Sequence, residues 1–65
     1  MISYPYAVLT DYDGQETRHE FRNRLGALNT FTQYIENAAT NKLVFSITMI
    51  DQRTNSRISH WERKT

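Results

Sequence analysis

Ser59 and His60 stand side by side with Asp51 upstream, which supplies the three residue types of a hydrolytic triad. That chemistry needs a hydrogen bond from nucleophile to base, and neighbouring residues of a strand point to opposite faces, so the spacing does not make a dyad. Asp11-Tyr-Asp13-Gly-Gln-Glu16 alternates oxygen ligands in the manner of a calcium loop. An EF-hand, however, places glycine sixth and glutamate twelfth, where this chain has Glu16 and Arg22. Asp13-Gly14 reads instead as a tight hairpin turn. His19 and His60, in a chain without cysteine, match no zinc spacing, and Gly14 and Gly26, its two glycines, cannot make a phosphate loop. The reading is therefore of a protein that is not an enzyme and has no metal or cofactor. A chain this short also has little volume left for a pocket of the usual ~300 Å³ once its core is filled.

Two sets of side chains remain that could recognise a partner. Tyr4, Tyr6, Tyr12 and Trp61 are the large amphipathic residues that protein interfaces favour, since each buries much area at low entropy cost. Arg53, Arg57, Trp61, Arg63 and Lys64 would suit nucleic acid, with cations on phosphates and a base stacked on the indole. Against both stands the plainer use of the same residues. Tryptophan and tyrosine close cores, and arginines on an outer strand keep it soluble.

The elements that must position these residues are organised around Leu43–Ile50, the densest apolar run. Its odd residues Leu43, Phe45, Ile47 and Met49 are all apolar, which predicts a central strand with that face buried. Tyr4–Thr10 and Glu16–Phe21 read as two strands of a hairpin. A two-residue loop would place Tyr6, Val8 and Phe21 on one face. A three-residue loop including Tyr12 would group Ala7, Leu9 and Phe21 and turn Tyr4 and Tyr6 outward; it is slightly favoured, because Gly14 would then take the left-handed position of a bulged turn. Asn23 is a helix N-cap, followed by Leu25, Leu28, Phe31, Ile35 and Ala38 on one stripe, with an end near Ala39 and a stop at Asn41. Phe31 and Phe45 should then pack together. Asp51 to Ser56 is a polar turn, and Arg57 to Arg63 a last strand in which Ile58 and Trp61 have opposite parity, so a bulge brings both inward or one stays exposed.

Sixty-five residues with a net charge of +1 make one domain, residues 1–65, with a frayed tail from 62 to 65. The expected class is α+β, in the order ββαββ, an antiparallel sheet with one helix packed on one face and the other face open. So small a core is marginal and, without disulfide or metal, gains most from a partner, a homodimer included. No membrane span and no signal peptide are seen, which is compatible with a cytoplasmic protein. The layout compares with the small inhibitors that phages and mobile elements direct at host enzymes and defence systems. The expectation is a protein-binding inhibitor or adaptor that occludes a partner's surface, with a nucleic-acid-binding module as the alternative.

Overall fold

A computed structural model describes residues 3–63. The elements follow in the order β1 (Tyr6–Tyr12), β2 (Gln15–Phe21), α1 (Arg24–Ala38), β3 (Val44–Asp51) and β4 (Ser56–Glu62). The strands form one antiparallel sheet in the order β2-β1-β3-β4, with α1 laid across one face over β3, β1 and β2. This is the expected ββαββ arrangement of an α+β fold, two layers deep.

The first hairpin closes on two residues. Tyr12 pairs with Gln15, and Asp13 (φ 53°) and Gly14 (φ 84°) both take the left-handed conformation that such a turn requires. Aspartate tolerates that conformation, and the Gly14 amide donates to Asp11 Oδ1 at 3.1 Å. The favoured three-residue loop is thereby corrected. Tyr6 pairs with Phe21 and Val8 with His19, so the even residues of β1 face the helix, and Tyr6 is half-buried against the core rather than turned outward.

The central strand departs from strict alternation for a local reason. Asp11 pairs with Ser46 but Tyr12 pairs with Val44, which leaves Phe45 as the extra residue of a bulge. Ile47 and Met49 keep the expected burial; Leu43 and Phe45 do not, being 44 % and 39 % exposed, and Val44 takes the inner place. The expected contact of Phe31 with Phe45 is corrected with them. Phe31 belongs to a core of Val8, Ala27, Ala38, Val44, Ile47 and Met49 from which Phe45 is absent.

The helix keeps Phe31, Ile35 and Ala38 of its expected stripe on the core but not Leu25 and Leu28. Ala27, Phe31 and Ala38 are its buried residues, whereas Leu25 and Leu28 are 67 % and 43 % exposed. Asn23 caps it as read, its Oδ1 accepting from the Gly26 amide at 2.7 Å. Gly26 lies so near Phe21 and the cap that an added Cβ would stand 3.1 Å from Asn23 Oδ1. In the first turns it is Ala27, fully buried, that faces the sheet. At the other end the helix closes on Ala39 as its C-cap, and Asn41 lies two residues beyond it in the connection to β3, its Oδ1 accepting from the Leu43 amide at 3.1 Å.

In β4, Met49 pairs with Ser59 and Ile50 with Arg57, so Ile58 is bulged. Both Ile58 and Trp61 thereby pack against the core, the first of the two arrangements foreseen.

Candidate functional site

The four aromatic residues do not gather into one patch. Tyr6 and Tyr12 begin and end β1, about 20 Å apart at ~3.3 Å per residue. At the first end, Tyr4 is exposed with the Arg22 guanidinium over its ring at 5.4 Å, and Arg53 lies over Tyr6 at the same distance. Arg53 also donates to the Tyr6 hydroxyl at 3.3 Å and forms three hydrogen bonds to the Asp51 carboxylate, two from its guanidinium and one from its backbone amide. Those bonds hold the Asp51 carboxyl below its ordinary pKa and raise that of Arg53. Trp61 pairs across to Ile47 with Arg63 over its ring, and its body is spent on the core.

The basic set is dispersed as well. Arg63 reaches back beneath the end of the helix. Its Nε donates to the Val44 carbonyl and its Nη2 to that of Asn41, both at 3.0 Å, and Nη2 also donates to the Ala38 carbonyl. It thus serves as a C-terminal cap supplied from β4. Arg53 is paired with Asp51, and Lys64 lies outside the described residues. Arg57 is exposed on β4 and remains available to a partner.

What the fold does assemble is a cleft of about 300 Å³ at the turn end, between the last half of the helix and the sheet. Thr10 and Tyr12 of β1, Gln15 and Thr17 of β2, and Tyr34 and Asn37 of α1 wall it, with Val44 among the remaining lining residues. None of the lining side chains is charged at neutral pH. Thr10 is 7 % exposed and its Oγ1 is buried without a partner. The Tyr34 ring is held by an edge contact with His19, centroids 5.9 Å apart. Tyr12, one of the lining residues, is also 42 % exposed. Of this set the sequence singled out Tyr12 alone; the cleft depends on pairing register and helix placement, which leave no local signal.

The uncovered face holds a second arrangement that sequence reasoning missed. Thr48 Oγ1 and His60 Nδ1 are 2.8 Å apart, and His60 Nε2 is 3.9 Å from Glu62 Oε2. The residue types are those of nucleophile, base and orienter. The last distance is too long for a hydrogen bond, and Thr48 lies on a central strand whose amides are taken up by ladders on both sides, so no backbone donor is left for an oxyanion. The arrangement is a cross-strand polar pair. Ser59 sits on the other face from His60, paired with Met49.

Among the described residues no cluster of three or more histidine, aspartate or glutamate side chains is placed to hold a metal, and no helix is long and apolar enough to cross a membrane. Comparison of the chain with protein-family models, curated proteins and solved structures gives no match. What the fold and the cleft define is a class alone, a small α+β domain with an uncharged cleft at one end of its sheet.

Proposed function

We propose that this chain is a non-enzymatic protein-binding module, an inhibitor or adaptor that covers part of a partner protein, and that it binds with the turn end of its sheet. The observation that carries the reading is the uncharged cleft, with exposed Tyr12 among its lining residues and exposed Leu43 and Phe45 on either side of lining Val44 in the chain. A central pocket that takes one side chain, ringed by apolar groups that exclude water, is the usual plan of an interface hot spot. The lining fixes the chemistry of the guest. A charged side chain would lose its hydration with no counter-charge to meet it, whereas an uncharged one bearing an amide or hydroxyl can bond to Gln15 and Asn37. The partner is thus a protein presenting such a residue amid apolar surface. A host enzyme or defence complex met in the cytoplasm fits the reading, by the architectural analogy with phage inhibitors.

Two variants test it against the captured partner. Tyr12→Ala with Phe45→Ser, remote from the main core, should lower affinity by ~2 kcal/mol or more, while Tyr4→Ala at the far end should leave it unchanged. Unchanged binding by the double variant overturns the assignment. Binding abolished by nuclease, or by reversing Arg57, favours the nucleic-acid alternative instead.

A further inference from the structure

The two edges of the sheet, β2 and β4, are built differently. The bulge at Ile58 throws β4 out of register, a device that blunts an edge. By contrast β2 pairs with β1 residue for residue from Gln15 to Phe21, without a break, and is exposed over its whole length apart from Phe21. It contains no proline. A regular, uncovered edge of this kind accepts another strand.

The two-residue turn determines which groups that edge presents. Tyr12 and Gln15 close the hairpin as a hydrogen-bonded pair and the ladder alternates from there, so Gln15, Thr17, His19 and Phe21 direct their N–H and C=O to β1. Glu16, Arg18 and Glu20 direct theirs outward, and their side chains share the uncovered face. Arg18 makes no hydrogen bond or ion pair among the described residues, and Glu20 is held by Gln52 Nε2 on one oxygen, Oε2, at 2.9 Å. With Arg22 continuing the series, the order is acid, base, acid, base.

That order is antisymmetric about His19. When the edge pairs antiparallel with a second copy on a two-fold axis at His19, Arg18 meets the second copy's Glu20 and Glu20 meets its Arg18, while Glu16 and Arg22 oppose each other at the ends. Moving the axis to Arg18 would set Arg18 against itself and Glu16 against Glu20. Moving it to Thr17 keeps the Glu16 and Arg18 pairs but sets Glu20 against the Gly14 turn. The charges therefore select one register as well as one partner.

We propose that the chain associates with a second copy of itself through β2, two-fold at His19, into a continuous sheet of two four-stranded halves. Both helices then lie on one face, and the two Asp13-Gly14 turns, with their clefts, point in opposite directions. The assembly would bind partners at both ends, but it does not depend on that reading of the cleft.

Sedimentation equilibrium tests the proposal. The parent should run at twice the mass of one chain, and Arg18→Glu or Glu20→Arg alone should weaken association on the order of ten-fold by opposing like charges, with circular dichroism unchanged. An equimolar mixture of the two variants should regain association, because each then offers what the other lacks. A parent that stays single up to millimolar concentration overturns the proposal and leaves the edge to an extended segment of another protein. Single variants that associate like the parent, or a mixture that fails to recover, overturn the register.

Discussion

At the scale of single residues, identity alone misleads about role. Arg63 looked like a phosphate ligand and is bonded to three carbonyls of its own chain; Trp61 looked like a stacking platform and packs half-buried against the core. Both depend on where β4 lies relative to the helix end, information that no local pattern contains. Thr10 shows the reverse case, a residue with no sequence signal that becomes the most unusual polar group in the fold. Its methyl contributes packing while its hydroxyl is buried without a hydrogen bond, which costs free energy. Thr10→Val keeps the shape and removes that cost. The variant should be more stable by about 1 kcal/mol, a rise in melting temperature of roughly 4–8 °C for a domain of this size. Thermal denaturation checks it. A variant that is less stable than the parent would mean that the hydroxyl has a partner after all.

At the scale of elements, their number, type and order were legible because each has a strong local signature: the apolar run of β3, the Asn23 cap, the Asp-Gly turn. Faces were less legible. The odd-residue pattern of 43 to 49 is sound only while alternation holds, and the bulge at Phe45 interrupts it. The apolar stripe read through Leu25 and Leu28 shifts onto Ala27, which is fully buried while both leucines are exposed. These two corrections separate two phenylalanines that the sequence had paired. Phe31→Ala should cost ~3–5 kcal/mol, the usual range for emptying a core phenylalanine, and leave the domain largely unfolded at room temperature. Phe45→Ala, at a side chain 39 % exposed and outside the core cluster, should cost under ~1 kcal/mol. Urea denaturation of the two variants gives the comparison directly. Equal losses would return Phe45 to the core and remove it from the proposed interface.

At the scale of the whole molecule, the question is what ties β4 to the rest, since the helix lies over the other three strands. Its ladder to β3 is interrupted at Ile58, and its apolar anchors are two half-buried side chains. Arg63 completes the attachment. From the residue just after β4 it bonds to the carbonyls of Ala38 and Asn41 at the end of the helix and of Val44 at the start of β3, and its own amide donates to the Phe45 carbonyl at 2.8 Å. One guanidinium thus joins the last strand, the helix terminus and the central strand, and it does so beside the cleft, which shares Asn41 and Val44 with it. Arg63→Leu keeps the aliphatic stem but leaves those carbonyls to water, and charge-assisted bonds of this kind are worth ~1.5–3 kcal/mol. The loss should be shared along the joint. In native-state hydrogen exchange, the amides of Ala39, Thr40 and Asn41 and those of β4 should lose protection together, while β1 and the amino-terminal turns of the helix keep theirs. Arg57→Leu, on the same strand but exposed, is the matched control and should change neither region. If Arg63→Leu lowers protection uniformly across the sheet, the residue supports global stability alone and the joint is not a separate unit; if protection falls in β4 but not after the helix, the strand is held by Trp61 and its ladder rather than by the guanidinium.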